Sequence, residues 1–362
     1  MAPKYSNSLL ARVWADNSGI SNFLYFPLTL LSRLYGKGVC LRAWLYQKGW
    51  LTQKRVSCRI VSIGNITAGG TGKTPMTLYF AEQWQKKGCK VGIVSRGYRR
   101  KNKAALVLVS DGVETCATPD AAGDEPYLMA QRLSGVPVMV CADRFEGCKE
   151  LIRRFAVEVI LLDDAFQHLK IHRDQNILII DATQPFGNGH LLPRGPLREP
   201  LSAIKRSDLV IFTRAEKDLP MKKIIQHVSP YQPSILQSRF KTTALIDLNT
   251  GKSSDPSVLK GQCVLPFCGI GNPAAFFSQL ESLGAKLEPA HIFEDHHDYK
   301  QSDWAAIQNS AANKKGIWIV TTEKDAVKIK SLMTETAKIY ALRIGPVFKQ
   351  ASEEKLKKLF EQ

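Results

Sequence analysis

The stretch "SIGNITAGGTGKTP", Ser62–Pro75, joins a short apolar run (Cys58–Ile63) to a helix-like pattern and carries the residues of a phosphate-binding loop. Gly69, Gly70 and Gly72 let the backbone turn tightly and aim its N–H groups at an anion. Thr67, Ala68, Gly69, Gly70, Thr71 and Gly72 form the cradle; Lys73 reaches for the outer phosphates of a nucleotide and Thr74 offers a hydroxyl to Mg²⁺. Thr67 stands where G-x-x-x-x-G-K-T usually opens with glycine. A second source of carboxylate is expected, and "VEVILLDD" supplies it, an apolar strand ending in Asp163 and Asp164. Two unpaired carboxylates at the end of a buried strand are costly without a cation. The run continues as "AFQHLKIHRD", which brings Gln167, His168, His172, Arg173 and Asp174 to the same rim.

Other polar groups punctuate the strand ends. "SRGYRRK" offers Arg96, Tyr98 and Arg99, suited to phosphate or glycolipid contact. "AGDEP" puts Asp124 and Glu125 at a helix start, and "LLPRGPLREPL" is a proline-pinned loop with Arg194, Arg198 and Glu199. "FEDHHDY" packs Asp295, His296, His297 and Asp298 without the spacing of a helical zinc motif. A histidine oriented by neighbouring carboxylates for proton transfer is the better reading of that segment.

The elements that must position these residues are legible as short apolar runs: "KVGIVS", "ALVLV", "VPVMV", "VEVILLD", "NILIID" and "DLVIFT", with helical patterns between several of them. That alternation predicts an α/β fold, a P-loop NTPase-like parallel sheet flanked by helices, with nucleotide at the carboxyl ends of its strands. A helix is expected over Met76–Lys87. Near Tyr231–Leu248 the pattern changes to two alternating strands, a two-stranded linker, before a second, smaller α/β lobe. The expected division is an arm over 1–56, a P-loop lobe over 57–230, a linker over 231–250 and the smaller lobe over 251–362.

The formal net charge of +17 implies an anionic partner. Between Asp16 and Glu82 there is no acid, while Arg33, Lys37, Arg42, Lys48, Lys54, Arg55 and Arg59 accumulate among Phe23, Leu24, Phe26, Leu30, Leu31, Leu34, Tyr35, Leu41, Trp44 and Trp50. Such a mixture composes an interfacial helix in a headgroup region, and Pro27 with the Gly36/Gly38 pair is expected to break it in two. The eight cysteines include no C-x-x-C pair, and no stretch reaches transmembrane length. These features point to a chain made in the cytoplasm. A nucleic-acid-binding ATPase is permitted by the charge, but no such motif is present and nucleic acid is not an expected partner. A membrane-bound nucleotide switch of the partitioning type has a further loop lysine where this chain has Ala68.

Taken in order, "GGTGKTP", "SRGY", "GDEP", "LDDAFQH", "HRD", "LREPL" and "DHHDY" resemble the tetraacyldisaccharide 4′-kinase family, the lipid A 4′-kinases, from the arm to about residue 345. Ala165 replaces the glycine of the family's "LDDGFQH", and the histidine of the last motif is doubled. The resemblance implies transfer of the γ-phosphoryl of ATP, with Mg²⁺, to the 4′-hydroxyl of an acylated disaccharide 1-phosphate at the cytoplasmic face of the bacterial inner membrane, where the enzyme is peripheral. It implies a metal site of Thr74, Asp163 or Asp164, and Glu199. It implies a base, Asp124, assisted by His296 across two lobes. Arg96, Arg99, Arg144 and Arg198, with Tyr98, Gln167 and His168, are the implied contacts for phosphates and lipid.

Overall fold

The apolar runs fold as buried strands because neither face of such a run can be turned to water. The structure, a computed structural model, describes Trp14 and residues 22–361 apart from 99, 217, 313, 315 and 334–337; side chains at a few helix ends, Phe23 and Leu24 among them, also lie outside the description. It divides into a larger unit, the described part of Tyr5–Arg239 with Pro346–Gln362, and a smaller unit, Phe240–Gly345. The strands of the larger unit are β1 (Arg59–Gly64), β2 (Val91–Ser95), β3 (Leu106–Ser110), β4 (Val138–Cys141), β5 (Val159–Asp163), β6 (Gln175–Asp181), β7 (Leu209–Thr213) and the start of β8 (Ser234–Asp247). Their order is β8-β7-β6-β1-β5-β2-β4-β3. Every neighbouring pair is parallel except β3 with β4 at one edge. β1 lies between β5 and β6, with Ile63 opposite Asp163, so the glycine loop starts beside the strand that ends in carboxylates.

Helices α1 (Asn22–Gln47), α2 (Lys73–Lys86), α3 (Pro119–Ala122), α4 (Asp124–Arg132), α5 (Arg144–Phe155) and α6 (Met221–Val228) complete this unit. One apolar core joins Ile60, Val94, Met139 and Leu162 to Cys148 and Leu151 of α5. Another joins Phe166, Leu178, Val210 and Phe212 to Ile224 and Val228 of α6. α2 begins at Lys73, earlier than the apolar pattern suggests, because Gly72 takes the left-handed conformation that turns the loop into the helix (φ 87°). Lys73 and Thr74 thus stand on the first turn, at the positive end of the helix dipole.

The arm differs from expectation. It is one 26-residue helix, not two, with Pro27 inside it. Pro27 sits near the start, where it removes a single backbone bond, and Gly36 serves close packing: a Cβ there would lie 2.7 Å from Leu191 Cδ1. Among the described residues no helix is long and apolar enough to cross a membrane.

The linker also differs. The two short strands expected around Tyr231–Leu248 are one strand, β8, within which the chain passes into the smaller unit. That unit contains β9 (Ser253–Ser254), β10 (Cys263–Cys268), α7 (Pro273–Ser282), β11 (Lys286–Leu287), β12 (His291–Ile292), α8 (Gln301–Ala312), β13 (Trp318–Thr322), α9 (Glu323–Ile329) and most of β14 (Ile339–Phe348). Its strands pair in the order β11-β10-β13-β14, all parallel, over a core with Phe267, Trp304 and Ile319. The last helix, α10 (Gln350–Glu361), belongs to the larger unit. Phe348 packs on Tyr79, and Phe360 on Phe80 and Trp84 of α2, with ring centroids 5.2–5.5 Å apart.

Candidate active site

The loop between β1 and α2 is framed by backbone pairing. Ala68 N–H donates to the Pro196 carbonyl and Arg198 N–H to the Ile66 carbonyl, each at 2.7 Å. The proline-pinned segment is thereby stitched along the loop, which is how Arg198 arrives at its rim. A Cβ on Gly69 or Gly70 would meet nothing within 4 Å, so the loop has open space on that side.

Three of the expected residues converge here. Lys73 Nζ lies 3.6 Å from Asp164 Oδ1, and Arg198 Nη1 reaches both Asp164 oxygens at 3.1 Å. Burial pushes the Asp164 carboxyl up, but Lys73 and Arg198 outweigh it and hold the group below its ordinary value. Asp163 is 1% exposed and accepts hydrogen bonds from Thr77 Oγ1 (3.2 Å) and Ser95 Oγ (3.0 Å). Burial, with the charges of Glu125 and Asp164, pushes its carboxyl up to about 7. The carboxylates are therefore not the unpaired couple that the sequence suggested: hydroxyls from α2 and β2 hold one, and cations hold the other. The left-handed residue of the turn after β5 is Asp164 itself (φ 46°), while Ala165 is buried outside that region, so its position does not demand glycine.

The neighbouring candidates occupy distinct places. Arg144 is buried, donates to the Ala142 and Asp164 carbonyls at 3.1 and 3.4 Å, and leaves its Nε without a hydrogen-bond partner. Gln167 Nε2 donates to the Asn65 carbonyl at 2.8 Å, and Asn65 Nδ2 to Thr71 Oγ1 at 3.0 Å. Burial, then the charge of Arg144, pulls the His168 imidazole down to about 4, which keeps it neutral near neutral pH. Arg96 and Tyr98 are exposed, and Arg99 lies outside the described residues. Asp124 opens α4 directly after Gly123.

Glu199 is paired differently from the two aspartates. One oxygen accepts from Arg206 Nη2 at 2.6 Å; the other, Oε1, is buried with no hydrogen-bond partner. Among the described residues no three His, Cys, Asp or Glu side chains gather closely enough to hold a metal ion. The expected metal ligands are thus not assembled into one protein cage. Mg²⁺ seldom needs one, since it takes one or two carboxylates together with phosphate oxygens and water. The hard oxygens of Thr74, Asp163 and Asp164 suit that mode, and Glu199 Oε1 is an anionic oxygen that a cation would satisfy.

The arm is tied to this rim. Ser32 Oγ donates to the Leu191 carbonyl and Tyr35 Oη to the Arg198 carbonyl, both at 2.9 Å, and Arg42 Nη1 to the Gln167 carbonyl at 3.1 Å. Its outward side exposes Phe26, Leu30, Leu31, Leu34, Leu41 and Trp44.

In the smaller unit the doubled histidine separates by environment. His297 stacks on Phe293 with centroids 4.6 Å apart, and its Nε2 lies 3.0 Å from Asp303 Oδ2. His296 occupies a left-handed turn (φ 64°), its N–H donating to the Gly269 carbonyl, with Lys324 Nζ 3.0 Å from its Nε2. The same Nζ is 3.3 Å from Asp295 Oδ1. Sequence reasoning missed Lys324, Thr77 and Ser95, and passed over Glu125, whose charge bears on Asp163. Ser95, the polar end of an apolar strand, and Thr77, one turn after Thr74, carried the signal.

Sheet order, the glycine loop after β1 and the carboxylates after β5 define a P-loop nucleotide-binding protein. The LpxK family model, described as tetraacyldisaccharide-1-P 4′-kinase, matches residues 24–361, and the chain belongs to that family. It is 38% identical over 334 residues to the tetraacyldisaccharide 4′-kinase of Syntrophus aciditrophicus (strain SB), covering 88% of each chain. It is 38% identical over 346 residues to that of Desulfatibacillum aliphaticivorans, covering 93% of this chain and 92% of the other. It is similar to a crystal structure of LpxK from Aquifex aeolicus in complex with ATP, with a TM-score of 0.76 and 33% identity over 93% of this chain and 98% of that one. The chain is accordingly a phosphotransferase with an alcohol acceptor, phosphorylating the 4′-position of a tetraacyldisaccharide 1-phosphate in lipid A biosynthesis.

Proposed function

We propose that the transfer uses ATP held by Thr67–Thr74, with Mg²⁺, and an acceptor embedded in the cytoplasmic face of the bacterial inner membrane. The observation that carries this reading is the meeting of Lys73, Asp164 and Arg198 beside the glycine loop. Phosphoryl transfer needs positioning and charge neutralisation more than covalent chemistry. Lys73 neutralises the migrating phosphoryl and Arg198 supports it. Thr74 with Asp163 or Asp164, and Glu199, would hold Mg²⁺, which when bound neutralises phosphate charge. Asp124 of the larger unit and His296 of the smaller one are the candidates for handling the proton of the sugar hydroxyl. Arg96, Tyr98, Arg99, Arg144, Gln167 and His168 serve the phosphates and the lipid. The exposed apolar and basic side of α1 carries the enzyme to the bilayer as a peripheral protein.

Lys73→Ala should lower kcat by about 10²- to 10³-fold, the usual loss when one preorganised electrostatic contact is removed. Thr74→Ala should respond to raised Mg²⁺ concentration, which Lys73→Ala should not. Turnover like wild type in both variants would remove the loop from the mechanism.

A further inference from the structure

The larger unit contains a polar device against the glycine loop, formed where β6 and β7 end. Thr213, the last residue of β7 and fully buried, donates from Oγ1 to the Thr71 carbonyl at 2.8 Å. Arg214, the next residue, takes a left-handed conformation (φ 51°) that few residues other than glycine or asparagine adopt. Its Nη1 donates to the Gly70 carbonyl at 3.0 Å and pairs with Asp181, the last residue of β6. Two adjacent side chains thus capture two consecutive carbonyls of the phosphate loop.

Peptide planarity gives this arrangement its consequence. In a trans peptide the carbonyl of one residue and the N–H of the next point in opposite directions. Fixing the Thr71 carbonyl against Thr213 directs the Gly72 N–H to the opposite side of the loop. Fixing the Gly70 carbonyl against Arg214 sets the plane of that same peptide, whose Thr71 N–H closes a turn on the Gly69 carbonyl at 3.2 Å. Thr71 is gripped a third time, through its hydroxyl, by Asn65. A loop of three glycines in four residues would otherwise sample many orientations, and each wrong one turns a donor away from the anion.

We infer that Thr213 and Arg214, with Asp181 orienting the latter, are positioning residues that preset the amides of the phosphate loop and so determine affinity for the nucleotide's phosphates. The pairing with Asp181 balances the guanidinium charge, so Arg214 acts through the loop backbone. The inference rests on the reading of this loop as the ATP site, and the test separates the two.

The experiment measures KM for ATP and for the acylated acceptor, with ADP affinity by calorimetry, in the full chain and in Thr213→Val, Thr213→Ser, Arg214→Gln and Asp181→Asn. Thr213→Val keeps shape and removes the donor; Arg214 is partly exposed and is not one of the buried apolar core residues. Thr213→Val and Arg214→Gln should each raise KM for ATP about tenfold and weaken ADP binding equally, with KM for the acceptor and the melting temperature nearly unchanged. Thr213→Ser should restore wild-type values, and Asp181→Asn should fall between. Wild-type affinity for ATP and ADP in both Thr213→Val and Arg214→Gln would overturn the inference. A wild-type chain that binds neither nucleotide would instead overturn the reading on which it rests.

Discussion

At the residue scale, the site's chemistry depends on how each ionisable group is surrounded. Asp163 and Asp164 are neighbours in sequence, yet hydroxyls surround one and cations the other. The proposed proton-transfer residues give the sharpest test at this scale. Asp124→Ala and His296→Ala should each lower kcat by about 10²- to 10⁴-fold, the range for general-base assistance. On the proposed reading, in which both serve one proton transfer, the double variant should lose little more than the worse single one. Multiplicative losses would give them separate roles, and a larger effect at His297 would move the assignment by one residue. His168 gives a direct electrostatic check. Its folded value of about 4 lies below that of the unfolded chain, so the unfolded state binds the extra proton between roughly pH 4 and pH 6.5. Stability from this group is full above that window and is lost as pH falls through it. Its NMR titration should show a neutral ring at pH 6, and His168→Gln should flatten the acid loss of thermal stability. A ring that titrates near 6.5 would contradict the environment described.

At the element scale, the sequence was most informative where one physical rule governs a segment. Parallel strands such as "VEVILLD" and "NILIID" were legible because burial on both faces leaves an uninterrupted apolar run. The arm's continuity was not, because Gly36 reads as a helix breaker until the approach of Leu191 is known. β8 was split in two because its burial pattern is irregular along fourteen residues, so alternation alone could not carry it through. The glycine loop was legible from spacing, whereas Thr213, Arg214 and Lys324 meet their neighbours only through tertiary contact and have no motif. The arm also carries its own prediction. On the proposed membrane reading its exposed apolar residues and its basic residues would give two attractions to an anionic bilayer, of which salt weakens only the second, with a Debye length of about 3 Å at 1 M. In co-sedimentation with anionic vesicles, high salt should loosen the protein and detergent should release it. Deleting residues 20–51 should abolish sedimentation while leaving ATP affinity within a few-fold of wild type. An arm-deleted chain that still sediments would place the contact elsewhere, and the exposed Arg96 and Tyr98 are the next candidates.

At the scale of the whole molecule, the parts fit one task. A parallel sheet sets a glycine loop beside two carboxylates in different surroundings, a basic and apolar helix is hydrogen-bonded to the same rim, and the net charge of +17 suits an anionic donor. Membership of the 4′-kinase family fixes the acceptor's class. The most direct measurement incubates the purified chain with γ-labelled ATP, Mg²⁺ and a tetraacylated disaccharide 1-phosphate, with water alone and a 4′-blocked acceptor as controls. The label should appear on the glycolipid as a second phosphate, should require the free 4′-hydroxyl, and its rate of transfer should fall by about 10²- to 10³-fold with Lys73→Ala. Label released only as inorganic phosphate, at a rate indifferent to the glycolipid, would contradict the account.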